Sequence, residues 1–253
     1  MQYHFGTGTL WGTATSDAYG NTIANPSPIK FGTIGDVTLD MSRDIKELYG
    51  QLAFPVAVGG GKMKIECKVK FAQISGRVYN DLFLGQGMST GTLTAANEDL
   101  TGQAIPGPGT LTITPPNAGT FVRDLGVLDA GGVAMQRVSS APATGQYSLS
   151  AGVYTFAVAD AGKTVYVSYT YSYALASAKT LQINNITMGT VPVFGLDLSC
   201  RYQGKSAAFR LNNCVSKKLT FDPKQDDFAM NDMDVAIFAD PVTGAVGQMV
   251  FTE

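Results

Sequence analysis

The sequence predicts a mainly β protein, and three observations support this prediction. Several stretches alternate apolar and polar residues with a period of two, which is the period of a half-buried strand. The 29 glycines and 11 prolines among the 253 residues interrupt these stretches with turn signals. Only 15% of the residues are charged, and the chain is rich in the β-branched and aromatic residues that favour strands. We expect a β-barrel or sandwich with one short packed helix and an inserted small β-sandwich domain.

The segment from Thr33 to Gly85 organises the chain. Apolar residues alternate with polar ones from Met63 to Phe71 and again from Val37 to Met41, so each stretch predicts a strand with one buried face. Two such strands close together in sequence favour antiparallel pairing. We therefore expect a hairpin at the centre of the core.

A short helix is predicted directly after the second strand. The apolar period changes there to about 3.6 residues, with apolar side chains at Ile74, Val78 and Leu82. Ser75 is a suitable first residue, and Gly85 suits the left-handed position that ends a helix. Arg77 and Asp81 stand at i and i+4, so we expect an ion pair on the outer face.

The segment Arg43–Gly61 between the two strands is predicted to be a long loop. It is far longer than the two to five residues that join antiparallel neighbours. It is also more apolar than a surface loop should be, which indicates docking onto another subunit. The candidate docking residues are Leu48, Tyr49, Leu52, Phe54, Pro55 and Val56. The alternative is that the segment folds back over its own barrel.

The remaining sequence divides into a core and an insertion. Residues 1–93 and 181–253 are assigned to the barrel, and residues 94–180 to an inserted immunoglobulin-like or small β-sandwich domain, with one continuous large barrel as the alternative. Residues 86–118 are expected to form a linker or an insertion boundary around one short strand, Thr110–Thr114. The other predicted strands are Phe5–Ala14, Gly126–Asp129, Val133–Val138, Val153–Val158, Lys163–Tyr173, Thr180–Thr187, Val193–Tyr202, Ser206–Asn212, Ser216–Phe221, Met233–Phe238 and Ala245–Phe251. Pro241–Gly244 is expected to close a final hairpin.

Composition argues against several classes of function. The formal net charge is only -2, and Glu66 interrupts the one lysine-rich strand, so no basic stripe is present for gripping phosphates. The three cysteines lack zinc-site spacing and are expected to be reduced packing residues. His4 is the only histidine, which leaves no ordinary catalytic triad. We expect no enzymatic activity, no cofactor, no metal, no secretory signal and no membrane segment.

Two runs carry a resemblance to a known family. The runs DVTLDMSRDIKELYGQLAFPVAVGGGKMKIECKVKFAQISGRVYNDLFLG and VPVFGLDLSCRYQGKSAAFRLNNCVSKKLTFDPKQDDFAMNDMDVAIFADPVTGAVGQMVF resemble the major tail, or tail tube, proteins of long-tailed bacteriophages in the order and character of their elements. The resemblance implies a tail-tube-type β-barrel whose subunits form hexameric rings. Those rings would stack into the virion tube through which DNA passes during ejection.

The same resemblance implies where the protein acts and what it contacts. Its partners would be further copies of itself and other tail proteins, with genomic DNA only as passing cargo, and it would be made in the host cytoplasm. The hairpin face is then expected to line the lumen, with Thr38 and Asp40 opposite Lys64 and Lys68. The alternatives are a baseplate or tail-terminator subunit, or a carbohydrate-binding β module with exposed aromatics such as Trp11 or Tyr166.

Overall fold

The computed structural model describes residues 6–73 and 75–252, and it is mainly β. The chain divides into two compact units. Unit 1 consists of residues 1–88 and 181–253, and unit 2 consists of residues 89–180. The predictions that involve His4, Phe5 and Ile74 fall outside the described residues.

Sixteen strands are present in the described part of the chain. They are β1 (Thr9–Ser16), β2 (Ile29–Lys30), β3 (Ile34–Tyr49), β4 (Pro55–Phe71), β5 (Met88–Asn97), β6 (Gln103–Ala104), β7 (Thr110–Thr112), β8 (Thr120–Asp129), β9 (Gln136–Arg137), β10 (Gln146–Ser150), β11 (Val153–Phe156), β12 (Thr164–Leu181), β13 (Val193–Tyr202), β14 (Lys205–Leu219), β15 (Asn231–Phe238) and β16 (Gly247–Phe251). Short 3-10 turns lie at Pro116–Ala118 and Val158–Asp160.

Unit 1 is built on one antiparallel sheet in the order β2-β1-β13-β14-β15-β4-β3, with β16 also paired to β14. The predicted antiparallel pairing of β3 with β4 is confirmed. Alternate residues of these strands point inward, as the period of two requires. They form one core whose fully buried members include Leu10, Phe31, Val69, Phe71, Phe194, Leu196 and Met233.

The predicted short helix is present and packs on this core. Helix α1 spans Gly76–Tyr79 and continues as a π-helical turn, Asn80–Leu84. Val78 and Leu82 are buried, and Gly85 ends the segment in the left-handed region at φ 61°. The predicted ion pair is also confirmed, with 3.3 Å between Arg77 Nε and Asp81 Oδ2.

Unit 2 contains two sheets around a core of its own. One sheet has the order β7-β11-β10-β9, and in the other β12 pairs with β5, β6 and β8. Inward residues of β12 alternate as the sequence predicted, and both sheets contribute to a core rich in tyrosine. Its buried members include Tyr147, Tyr154, Phe156, Val165, Val167, Tyr169 and Tyr171.

Several local assignments were wrong. Residues 86–118 are not simply a linker, because β5 and β6 both pair with β12 there. Thr180–Thr187 is not a strand beyond Leu181, and the run contains Asn184 and Asn185, which have low β propensity. The strands predicted on either side of Asn213 are one strand, β14. Strand β14 continues past Asn213 without a break because it pairs with β13 on one side and with β15 and β16 on the other.

The turn at Pro241–Gly244 also differs from the prediction. Gly244 N donates to Asp240 O at 2.8 Å, so the turn itself is tight. The flanking strands β15 and β16 both pair with β14, along different parts of its length, and do not form a hairpin with each other. The extra length of β14 explains this, because one strand can pair with two partners in succession along its length.

Candidate functional site

The most distinctive feature of unit 1 is a hairpin that extends past its own sheet. Strand β15 pairs with β4 only from Phe71 to Glu66. The β3–β4 pairing continues well beyond this point, to Tyr49 opposite Pro55. Among the described residues, the outer part of the hairpin is therefore a two-stranded ribbon. We call residues 43–61 the hairpin arm.

The prediction of a long loop at Arg43–Gly61 was wrong. Only residues 50–54 turn, and the rest of the arm lies in β3 and β4. Gly59 and Gly60 pair with Lys46 and Ile45, so the glycines extend the ladder and are not a flexible turn. A Cβ on Gly61 would lie 3.0 Å from Asp44 Cβ, so the absence of a side chain permits this close approach.

Apolar side chains of the arm are largely exposed. Leu52 and Phe54 are 78% and 82% exposed at the turn. Others more than half exposed are Ile45, Leu48, Tyr49, Val56 and Val58. Residues 48–61 include no charged side chain. An isolated two-stranded hairpin is only marginally stable in water. Exposed apolar side chains on such a hairpin indicate that another protein surface covers them.

The six candidate docking residues all lie at the end of this arm. Leu48 and Tyr49 end β3, Pro55 and Val56 begin β4, and the other two lie in the turn. The structure thus brings them together at one place. The alternative, in which the segment folds back over its own barrel, does not agree with their exposure, except for the partly buried Pro55.

The register places the four lumen candidates on the outward side of β3 and β4. Thr38 lies directly opposite Lys68, as expected. Asp40, however, lies opposite Glu66, and Lys64 lies opposite Ser42, so the predicted pairing of Asp40 with a lysine was wrong. The register shifts at a bulge between Ile34 and Asp36, which sequence alternation alone does not reveal.

The lysines on this face are balanced by aspartates of β15 as well as by acidic residues within the β3–β4 hairpin. Lys70 lies between Asp36 and Asp232, and Lys68 lies between Thr38 and Asp234. Both of these aspartates are half-buried on β15. Their alternation with the buried Met233 and Val235 was the signal that placed them on a strand.

Glu66 is the acceptor at the centre of the same face. It receives a hydrogen bond from Lys217 Nζ of β14 and forms an ion pair with Lys64 Nζ at 3.0 Å. The Lys217 ammonium, and then that of Lys64, lower the pKa of this carboxyl. We call Asp36, Lys64, Glu66, Lys68, Lys70, Lys217, Asp232 and Asp234 the charged sheet face.

Strand β3 also ends the sheet. It stands last in the strand order, so its outer edge has no strand partner among the described residues. An unpaired edge of 16 residues is a template for another chain, because its backbone donors and acceptors lie ready for a new strand. The outer edge of β3 and the exposed end of the hairpin arm are therefore two surfaces of unit 1 that are available for contact with another chain.

Unit 2 has a buried polar cluster that is internally satisfied. The Asp124 side chain is 5% exposed and accepts hydrogen bonds from Tyr147 Oη at 2.7 Å and Tyr154 Oη at 2.9 Å. Burial, and then the hydrogen bond to the carboxylate, raise the pKa of both tyrosines. These contacts hold β8 against the facing sheet and are structural.

The three cysteines, Cys67, Cys200 and Cys214, are free and buried. Burial raises the pKa of the Cys67 thiol to about 11 and that of Cys214 to about 12, which leaves both protonated at neutral pH. They pack as small apolar residues. Within residues 6–73 and 75–252, no cluster of His, Cys, Asp and Glu is placed to hold a metal ion.

No family model matches the sequence, and no curated protein matches it. Among the described residues, no helix has the length and apolar character needed to cross a membrane.

Proposed function

We propose that this protein is a structural subunit of a phage tail tube. The observation that carries the proposal is the hairpin arm: a ribbon that leaves its own sheet and ends in exposed apolar side chains such as Phe54. A soluble subunit gains nothing from such an arm unless a neighbour covers it. The resemblance of the two sequence runs to tail tube proteins supplies the identity of that neighbour, which is a further copy of the chain.

In this proposal the subunit works by geometry alone. Subunits join side by side into rings, with the open edge of β3 available for pairing between neighbours. The arm reaches the adjoining ring and buries its apolar end there. Each contact repeats around the ring, so modest individual contacts add to a firm attachment.

The charged sheet face suits the wall of a DNA channel. Lys68 and Lys70 are each flanked by an aspartate of β15, and two lysines surround Glu66. A lumen lined in this way presents polar groups but little net positive charge. DNA therefore passes without the strong, salt-sensitive binding that uncompensated lysines would produce.

A carbohydrate-binding module is less well supported. Trp11 and Tyr166 are both half-buried, whereas a sugar-stacking platform needs an open aromatic face. Cleavage of a glycan would also need a pair of carboxylates beside the aromatic ring. Trp11 lies opposite Asp197 across the β1–β13 pair, but that register places no second carboxylate opposite Trp11.

Electron microscopy of the purified, concentrated protein tests the proposal directly. Hollow tubes of stacked rings are the expected result. Rings that form but never stack would favour a baseplate or tail-terminator subunit. A chain that stays monomeric at every concentration and binds a glycan array would contradict the tail-tube role.

A further inference from the structure

Unit 1 contains an open groove that no side chain of the described residues fills. Its volume is about 420 Å³, and it lies between the edge of β3 and strands β13, β14 and β16. Apolar side chains form most of its lining, chiefly Val37, Leu39, Leu198, Ala207, Phe209 and Phe251. Asp36 is the one charged residue among the described residues of the lining, and its side chain is exposed.

We propose that this groove receives the end of the hairpin arm of a second copy of the chain. The inference rests on the proposed function and names the partner surface that the arm requires. The arm end carries Leu52 and Phe54 almost fully exposed, and no charge lies within residues 48–61. A neutral apolar end entering an apolar groove buries no unpaired charge, so the two surfaces are complementary.

The arm cannot fill the groove of its own chain. Both features belong to the same continuous strand, because Val37 and Leu39 line the groove while Tyr49 ends β3. Ten residues separate Leu39 from Tyr49, which at about 3.3 Å per residue is roughly 33 Å. An unbroken strand holds the two features apart, so the contact joins two molecules.

The contact is head to tail, since the arm end and the groove are different surfaces of one chain. Such heterologous contacts propagate without limit unless a rotation closes them. The groove of the second copy sits where the arm of the first copy ends. For successive copies that stack along the direction of the arm, equivalent points are therefore separated by the groove-to-arm distance, roughly 30 to 40 Å by the same strand geometry.

One such contact is small. Tyr49 and Phe54 bury on the order of 150–250 Å² each when fully covered, whereas a stable interface takes about 800 Å² from each partner. A single arm in a single groove is thus weak. Repetition around a ring makes the contact stable, so assembly should begin only above a threshold concentration.

Phe251 is the residue to change, because it is 53% exposed and lines the groove, where its ring packs edge-on against Phe209. Phe251→Arg places a charge in the groove. Val250→Arg is the matched control, since Val250 is 52% exposed on the same strand and points to the opposite face. Phe251→Ser removes the ring without adding charge and serves if the arginine variant unfolds.

Sedimentation velocity of the full chain measures self-association. We expect Phe251→Arg and Phe251→Ser to raise the concentration needed for assembly by about tenfold or more, the loss that corresponds to one buried aromatic side chain. Val250→Arg should assemble like the wild type. Equal assembly of the Phe251 and Val250 variants would overturn the groove assignment.

Mixing two defective variants tests the pairing itself. Rings of Leu52→Ser/Phe54→Ser keep their grooves, and rings of Phe251→Arg keep their arms, so neither kind should stack alone, while a mixture of the two should form one ring-to-ring contact and stop. A mixture that remains unassociated would contradict the proposal. The spacing of successive copies in wild-type assemblies should be 30 to 40 Å, and a spacing far outside that range would also contradict it.

The outcomes separate this inference from the proposed function. If the Phe251 variants form tubes as readily as the wild type, the groove contact is overturned and the tail-tube role still stands. Head-to-tail association that never produces hollow tubes would leave the groove contact standing and remove the tail-tube role.

Discussion

Lys68 of β4 lies directly opposite Asp234 of β15 in the antiparallel register, with Thr38 of β3 on its other side. Side chains directly opposite each other in a sheet are about 5 Å apart at Cβ, close enough for a lysine and a carboxylate to offset one another. The same relationship repeats at Lys70, which lies between Asp36 and Asp232. The β15 aspartates are thus the balancing charges of the face proposed to line the lumen.

The first prediction concerns DNA binding by assembled tubes. Asp232→Lys/Asp234→Lys leaves Lys68 and Lys70 uncompensated and adds two lysines, so tubes of this variant should bind DNA with an affinity that falls steeply as salt rises. Wild-type tubes should show only weak binding. Fluorescence anisotropy of labelled duplex DNA across a salt series gives the slope.

Asp226→Lys/Asp227→Lys is the control, because it makes the same change of charge in an exposed loop between β14 and β15. Steep salt dependence in the wild type, or the same slope in both variants, would mean that the β15 aspartates do not govern contact with DNA.

The sequence predicted the central elements because their patterns were long and regular. The alternation from Met63 to Phe71 predicted which face of β4 is buried. The change after Phe71 from a period of two to a period of about 3.6 residues predicted the helical segment that ends at Gly85. Short or interrupted patterns failed. Strand β5 has few large apolar residues and is a strand because β12 pairs with it, and pairing of this kind is invisible in a local window.

The candidate site was predicted in part for the same reason. Exposure and apolar character of the arm followed from its composition, but its strand conformation did not, because Gly59 to Gly61 carry a turn signal that the ladder overrides. The partners of Glu66 could not be predicted either. Lys217 approaches it from β14, and such a contact depends on the order of strands in the sheet.

The second prediction is that Tyr49→Ala/Phe54→Ala abolishes polymerisation and leaves the fold intact. Both side chains are more than half exposed, so removing them deletes contacts with a neighbour and not with the core. Each lost contact is worth roughly 1.5 to 3 kcal/mol if it is fully buried in the assembly. Negative-stain microscopy and circular dichroism melting are the measurements.

Phe228→Ala is a matched control, since Phe228 is 83% exposed in a different loop and should have no effect on assembly. Unchanged tubes in the double variant would remove the docking role of the arm. A large fall in its melting temperature would show that the arm belongs to the core of its own barrel.

The third prediction is that residues 89–180 can be removed without loss of assembly. Unit 2 has a core of its own, and its two ends are adjacent, since Thr180 Oγ1 donates to Thr92 O at 3.2 Å. A short glycine linker between Met88 and Leu181 should therefore close the gap. We propose that the insertion lies outside the tube, where its absence does not alter the ring.

Microscopy of the deletion variant checks this prediction, with circular dichroism to establish that unit 1 remains folded. Tubes of smaller outer diameter and unchanged lumen are expected. A folded variant that forms no tubes would place the insertion within the ring contacts.

The fourth prediction concerns the buried cluster at Asp124 in unit 2. Asp124→Ala leaves the hydroxyls of Tyr147 and Tyr154 without their acceptor, and each buried hydroxyl without a partner costs about 1–3 kcal/mol. The expected loss of unfolding free energy is therefore roughly 2 to 6 kcal/mol. Adding Tyr147→Phe and Tyr154→Phe should restore part of this loss, because the unpaired hydroxyls are then gone and the rings still pack.

Urea unfolding of the single, double and triple variants, followed by amide hydrogen exchange in β10 and β11, measures the stability of unit 2. A triple variant less stable than Asp124→Ala would mean that the hydroxyls find other partners. The loss in Asp124→Ala would then come from the other contacts of its carboxylate, which are the hydrogen bond from Gly126 N at 3.0 Å and the ion pair with Arg137 at 3.8 Å.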